Sequence, residues 1–299
     1  MESGDSQLDM SSGALKLQEK ELLPFEIDYL PEFAAKKCQE ELNETPERKI
    51  KGIQELRALL QRNPKTSALE FHDDFLVAYL RRNKYRTKDA LQQILKSQQL
   101  VEAESDLFRG VPEEYLDSPA FKNFYPLPVR CQDGCGLIYF GIGKWDPTEL
   151  PLKQLKQMIV MFLAQALRDP MNQINGFKVL YDLEGLSTRH IKYITPQNML
   201  LLYNGAVNTA PARYKAVHVI NQSPLVKFFW SFVRPILTEK IKSRVHFHKN
   251  KEELLDYFPR CVLPVDFGGN VRENETINWI RRANKDQEKF TLCGQPNYY

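Results

Sequence analysis

The chain has 299 residues, 42% of them apolar and 26% charged, with a formal net charge of +3. That length fits one large α/β domain with a smaller companion or two medium domains, and the near-average composition excludes collagen-like, disordered and membrane-embedded classes. So small a net charge excludes a general nucleic-acid binder and leaves any electrostatic role to local clusters among the 41 Lys and Arg residues.

Residues 1–30 are polar, with Ser11-Ser12-Gly13 and then Pro24, and read as a flexible arm. From 31 to 110 the pattern is helical. Ile50, Ile53, Leu56, Leu59 and Leu60 keep the spacing of one buried face, and Phe75, Leu76, Tyr79 and Leu80 repeat it. Leu91, Ile94 and Leu95 form the stripe of a further helix started near Thr87 or Asp89. Prolines and aromatics break any period between Pro112 and Pro128. A hairpin signature follows, with Asp133-Gly134 as its turn and Leu137–Phe140 as a strand.

Leu152–Leu167 is apolar nearly all round toward its end and marks a buried helix. The strand 176–182, a helix from Pro196, the strand 213–220, helices between Leu225 and Arg244 and a short strand at Val245-His-Phe-His248 complete a β-α-β-α-β-α-β alternation. It predicts an α/β domain over 111–270 with a mostly parallel sheet covered by helices. Residues 271–299 read as a tail with a short helix.

The segment Leu225–Leu237 is the most unusual. On a helical wheel Leu225, Phe228, Phe229, Phe232 and Val233 centre an apolar face that Val226 and Trp230 widen well beyond the roughly 100° stripe needed to cover a sheet. Such a helix is either deep core or touches apolar material on a second side. Pro235 ends or kinks it by removing an amide donor. Beyond it Lys240 and Arg244 lie four apart, and Arg213 and Lys215 lie two apart at the entry to a strand. If the two meet, four cations converge in a way that suits a phosphorylated head group. Solvated helix ends are the plainer alternative.

Chemistry-bearing motifs are sparse. Gly185-Leu-Ser-Thr-Arg lacks the second glycine of a nucleophile elbow, and His190 is expected at the surface. Gly141-Ile-Gly143 is a fragment of a dinucleotide fingerprint. His246 and His248 lie two apart with no third ligand in register, Cys131 and Cys135 flank a turn without a second pair, and Asp182 and Glu184 fit hydrogen bonding in a loop. No catalytic residue, metal or cofactor is expected. Five scattered cysteines and no apolar signal segment fit a reducing cytoplasm.

Several stretches, in order and spacing, resemble the CRAL-TRIO lipid-binding domain: Pro211-Ala-Arg-Tyr-Lys-Ala-Val-His-Val-Ile-Asn221, Arg234-Pro-Ile-Leu-Thr-Glu-Lys-Ile-Lys-Ser-Arg244, Leu263-Pro-Val-Asp-Phe-Gly-Gly269, Asn175-Gly-Phe-Lys-Val-Leu-Tyr-Asp182 and Phe75-Leu-Val-Ala-Tyr-Leu-Arg-Arg82. The match runs from about 40 to 270 and is nearest the subgroup of α-tocopherol transfer protein, cellular retinaldehyde-binding protein and clavesins. It implies a three-helix N-terminal bundle and a mostly parallel sheet flooring a lipid cavity under a helical gate. The gate falls on Leu225, Phe228, Phe229, Phe232, Val233 and Ile236. The implied lining is Ile159, Leu163, Phe177, Val179, Tyr181, Ile194, Leu202, Ala206, Ala210, Val217, Val219, Phe229 and Val233, though pocket walls and plain cores use the same residue types. Ile159 and Leu163 align with serines that hold water in relatives, implying a drier pocket, and Ala210 stands where relatives carry Phe. Arg213, Lys215, Lys240 and Arg244 align with a phosphoinositide head-group site, one further basic position of which is Asn83 here, flanked by Arg82 and Lys84. The resemblance thus implies a monomeric cytoplasmic protein, peripheral at phosphoinositide-containing membranes, that carries a tocopherol- or retinoid-like ligand. The alternative is a phosphoinositide-binding trafficking adaptor or lipid sensor.

Overall fold

The computed structural model describes residues 22–221, 224–272 and 279–286, with the backbone alone at 224, 225 and 227–229. Its N-terminal region contains α1 (Glu32–Leu42), α2 (Pro46–Arg62), α3 (Asp73–Arg82) and α4 (Thr87–Ala103). Thr45 caps α2 by accepting the Arg48 amide at 3.2 Å, with Pro46 at the first helical position, where a missing N–H costs nothing. Helices α2, α3 and α4 close on one another through Leu56, Leu60, Leu76, Tyr79, Ala90 and Ile94, each large side chain contributing about 2 kcal/mol of burial. The buried stripe of α2 runs through Gly52, Leu56 and Leu60, so Ile50, expected on that face, is 60% exposed. The cause is Tyr85, whose ring lies 2.9 Å from where a Cβ on Gly52 would stand and so turns that face inward. Helix α1 leaves this bundle and docks Ala34, Cys38 and Leu42 on Met171 and Ile174.

The sheet has five strands in spatial order β1 (Phe124–Pro126), β2 (Gly136–Gly141), β3 (Phe177–Asp182), β4 (Tyr214–Ile220) and β5 (Val245–Phe247). Strand β1 is antiparallel to β2 and all other pairs are parallel. That β1 lies between Pro112 and Pro128, where no period was expected, follows from its place at the sheet edge, where a proline removes no ladder bond. The turn into β2 is closed by Gly134, at φ +79, donating to the Cys131 carbonyl at 2.8 Å.

Because each strand joins its predecessor on the same side, right-handed crossovers place all connecting helices on one face of the sheet. These helices are α5 (Leu152–Ala166) and α6 (Pro170–Asn175) before β3, α7 (Thr188–Ile191) and α8 (Pro196–Tyr203) before β4, and α9 (Pro224–Val233) and α10 (Glu239–Lys242) before β5. A π-helical turn, Asn204–Thr209, extends α8, and α9 gives way at Arg234–Ile236 to a 3-10 turn around Pro235. The other face is sealed by Leu254, Phe258, Val262, Leu263 and Phe267 against Leu137, Tyr139, Leu180 and Ile220. Residues 279–286 are helical, with Trp279 against Phe162 at 4.5 Å. Among the described residues no helix is long and apolar enough to cross a membrane.

Candidate functional site

Side chains alternate along a strand, so Phe177, Val179 and Tyr181 of β3 share the helix-side face with Val217 and Val219 of β4, pairing Val179 with Val217 and Tyr181 with Val219. Burial divides the expected lining in two. Leu163, Phe177, Val179, Ala210 and Val219 are enclosed by packed neighbours. Ile159, Tyr181, Ile194, Leu202, Ala206, Val217 and Val233 are half-buried.

That division is informative at α8. Met199-Leu-Leu-Leu-Tyr203 is apolar, and a helix of this composition laid directly on a sheet would bury a stripe, yet no residue of α8 is fully buried. Tyr181 behaves likewise. Desolvation alone pushes its phenol up to about 12, while the residue keeps accessible surface and stacks on Phe140 at 5.4 Å. Tyr181 is thus deeply placed yet keeps accessible surface, on the face of the sheet that carries the connecting helices. Helix α9 packs against α8, and Trp230 meets Phe247 of β5 edge-on at 5.0 Å. Of the expected gate residues, Phe232 is 39% exposed and Val233 and Ile236 are half-buried. The side chains of Leu225, Phe228 and Phe229 lie outside the described set.

The entry to α9 is pinned. Asn221 adopts φ 54 and donates from Nδ2 to Asp182 Oδ1 at 2.7 Å. Asp182 also accepts the Tyr139 hydroxyl at 2.8 Å and the Glu184 amide at 3.0 Å. Burial pushes the Asp182 carboxyl up, but Asn221, the Glu184 amide, Tyr139 and Lys144 outweigh it and hold it below the usual range.

A second constellation is cationic. Between β3 and β4 the register shifts, leaving Lys215 as an extra residue between Tyr214 and Ala216, and this bulge turns it toward Glu41, at 3.5 Å, with Arg213 at 3.2 Å from the same carboxylate. Arg213 also donates to the Ile174 carbonyl and Arg244 to that of Tyr214. Lys240 is held below its ordinary value first by Arg244, then by burial, Arg82, Lys84 and Arg213. Arg82 is lowered first by burial and then by Arg213, with Arg244 adding to it. The structure therefore gathers Arg213, Lys240 and Arg244 with Arg82 and Lys84 of the N-terminal region, while Lys215 sits beside Arg213. Among the described residues no carboxylate pairs with Arg82, Lys84, Lys240 or Arg244. Arg82, Lys84, Lys240 and Arg244 therefore add to a local excess of positive charge.

Asn83 is occupied elsewhere. Its amide donates to Gln93 Oε1 at 2.7 Å and the Tyr79 carbonyl at 2.9 Å, and Gln93 in turn donates to the Ala210 carbonyl at 2.9 Å. Asn83 thus links the helical region to the approach of β4. Lys84 and Tyr85, both at positive φ (53 and 60), turn the chain sharply beside it. Two consecutive left-handed non-glycine residues carry backbone strain and have no signature in the sequence.

Two expectations are corrected. His190 is buried, its Nδ1 accepting the Ser187 amide at 3.0 Å and its Nε2 2.9 Å from the Trp145 carbonyl, so it is a folding residue rather than a surface one. His246 and His248 do have a third imidazole in register: His218, paired with His246 across β4 and β5. His218 Nδ1 lies 2.9 Å from His248 Nε2 with the rings only 9° from parallel and centroids 5.1 Å apart, an in-line hydrogen bond that points the lone pair of one ring at the other ring rather than at a shared ion. Among the described residues no cluster has metal-ligand geometry. The Cys135 thiol, pushed up to about 12 by burial, is inert. A cleft of about 720 Å³ between α5 and residues 281–285 is rimmed by ion pairs such as Lys153 with Asp106 at 2.8 Å.

Comparison with known proteins finds one family model and several relatives. Residues 122–269 match the family model described as CRAL/TRIO domain. "Alpha-tocopherol transfer protein-like" of Homo sapiens is 27% identical over 301 residues, covering 98% of this chain and 88% of its own. Clavesin-1 of Rattus norvegicus is 26% identical over 252 residues, covering 82% of this chain and 70% of its own, and clavesin-2 of Homo sapiens is 26% identical over 250 residues, covering 82% and 76%.

Proposed function

From the premise that residues 122–269 are a CRAL/TRIO domain, we propose that this chain encloses one small hydrophobic molecule between the sheet and α8, in the manner of a tocopherol or retinoid, and exchanges it at phosphoinositide-containing membranes. The observation that carries this reading is α8, an apolar helix without one fully buried residue, above the half-buried Tyr181 and Val217. Removing apolar surface of a cargo from water there yields about 25 cal/mol per Å² before ordering costs. The name of the human relative, which speaks of tocopherol transfer, accords with it.

Release follows from the cationic group. A phosphorylated head group engages Arg82, Arg213, Lys240 and Arg244, brings Phe232 to the bilayer and favours the open arrangement of α9 by differential affinity. Organic extraction of the purified protein with mass analysis identifies the cargo. The coupling is tested by Lys240→Ala combined with Arg244→Ala: transfer of cargo to phosphoinositide vesicles falls to the rate seen with neutral vesicles. Transfer at the wild-type rate refutes the coupling, and vesicle binding without any ligand exchange indicates an adaptor instead.

A further inference from the structure

The cations gathered ahead of β4 and β5 flank a hydroxyl that the carrier reading does not use. Ser243 is exposed and stands between α10 and Arg244. It follows Lys240 by three residues and Lys242 by one, so it lies one helical turn from Lys240 and beside Arg244. Its Oγ donates to the Lys240 carbonyl at 3.0 Å, on the solvent side. Helix α10 has four residues and buries none of them, so drawing this segment out into an extended form breaks little packing. Thr238, the other exposed hydroxyl of the segment, is committed differently. Its Oγ1 accepts the Ile241 amide at 3.4 Å and caps α10, between Leu237 and Glu239.

The electrostatics around Ser243 favour an added anion. Lys240 is held below its ordinary value by Arg244 first, then by burial, Arg82, Lys84 and Arg213, so cations from three separate stretches of the chain repel one another here. Glu239, the one carboxylate of α10, is engaged by Lys242 at 2.7 Å. We propose that Ser243 is a phosphorylation site, modified by a serine kinase that selects basic flanks, and that its phosphate switches off the head-group site by occupying Lys240 and Arg244 from within. In the transfer, Oγ loses its proton and bonds to the γ-phosphorus of ATP. The bond from that phosphorus to the β,γ-bridging oxygen breaks, and ADP leaves with the electron pair. The product replaces one donor by three acceptor oxygens carrying a charge of about −1.5 to −2. One turn from Lys240 and adjacent to Arg244, it pairs with both and cancels the attraction that a membrane phosphate would feel. This rests on the head-group reading above and supplies its regulation.

The 299-residue chain, incubated with ATP and serine kinases that select Lys or Arg beside their target, is expected to carry phosphate on Ser243 in tandem mass spectra. Absence of phosphate there overturns the site. Protein with phosphoserine installed at position 243 during translation tests the consequence, by co-sedimentation with phosphatidylcholine vesicles containing phosphatidylinositol bisphosphate and with pure phosphatidylcholine vesicles. One charge near an anionic surface changes binding about fivefold, so the phosphorylated protein should bind at least about tenfold more weakly than the unmodified chain. Ser243→Ala, which removes only an exposed hydroxyl, should bind as wild type does. The phosphorylated protein should melt no lower than the unmodified one, because the phosphate relieves repulsion among Arg82, Lys240 and Arg244. A fall of several degrees assigns the lost binding to unfolding and overturns the switch. Equal vesicle binding with and without the phosphate also overturns the switch and leaves the head-group reading standing. If the unmodified chain binds the phosphoinositide vesicles no better than pure phosphatidylcholine, both are overturned.

Discussion

Arg81 and Arg82 are adjacent in sequence and predicted to respond to mutation with opposite sign. Arg81 is buried and forks onto Glu44, from Nε at 2.7 Å and Nη2 at 2.8 Å, with Nη1 on Gln173 Oε1 at 2.7 Å. Removing it strands a buried carboxylate and an amide oxygen, which costs about 3–5 kcal/mol. At about 2–4 °C per kcal/mol, Arg81→Gln lowers the melting temperature by roughly 10 °C. Arg82 has no carboxylate partner, its Nε is occluded without a hydrogen bond, and Arg213 and Arg244 repel it. Arg82→Gln removes both penalties and should raise the apo protein's stability by up to about 1 kcal/mol, or about 2 °C. The same change removes one cation from the proposed head-group site, worth about 1 kcal/mol near an anionic surface, so binding to phosphoinositide vesicles falls about fivefold. Differential scanning fluorimetry and vesicle co-sedimentation on the two variants decide the matter. An Arg82→Gln protein that melts several degrees lower, or binds vesicles as wild type does, would refute the assignment of Arg82 to an anion site.

Asp182→Ala should cost about 2–3 kcal/mol by stranding Tyr139 and Asn221, with faster amide exchange in α9 as the readout. Because the folded Asp182 is held below its unfolded value near 3.9, its stabilisation is present above that pH and disappears as pH falls through the lower folded value. His218 changes stability in the same direction but over a higher pH range: burial, then His248, His246 and Lys178, depress its pKa to about 3 against about 6.5 unfolded. Between those pH values the unfolded chain binds more protons, so stability climbs with pH by up to about 1.4 kcal/mol per unit, and His218→Asn should flatten the melting profile measured from pH 4 to 7. Gly176→Ala should cost about 2–3 kcal/mol, because φ is +84 and the new Cβ would meet the Arg213 carbonyl. Its vesicle binding should drop as well, since relief of the clash displaces Arg213.

Periodic segments were legible because periodicity is what packing selects. The all-round apolarity before Leu167 and the run 176–182 each fell on an element close to the expected bounds, and the spacing of Leu56 and Leu60 fell on a helix. Strand β1 was not, because its proline at an edge looks like a proline in a loop. Arg213, Lys215, Lys240 and Arg244 could be named in advance, but the place of Arg82 among them depends on the strained turn at Lys84 and Tyr85, and that of His218 beside His246 on strand pairing across nearly thirty residues. Least legible was the contrast between Phe177, fully packed, and Tyr181, half-open four residues later on the same face. Residue type does not distinguish a wall from a core.

The single-sided arrangement of crossovers has a consequence for how such a protein can change over generations. One face of the sheet is a packed foundation of Leu180, Ile220, Leu254 and Phe258, and the other carries Tyr181 and Val217, both only half-buried. Substitutions at Val217, Leu202 or Ala206, all half-buried, should therefore disturb packing less than substitutions in that foundation. On the proposed carrier reading, descent with modification can alter cargo preference on one side of the sheet while the packed foundation on the other is left alone.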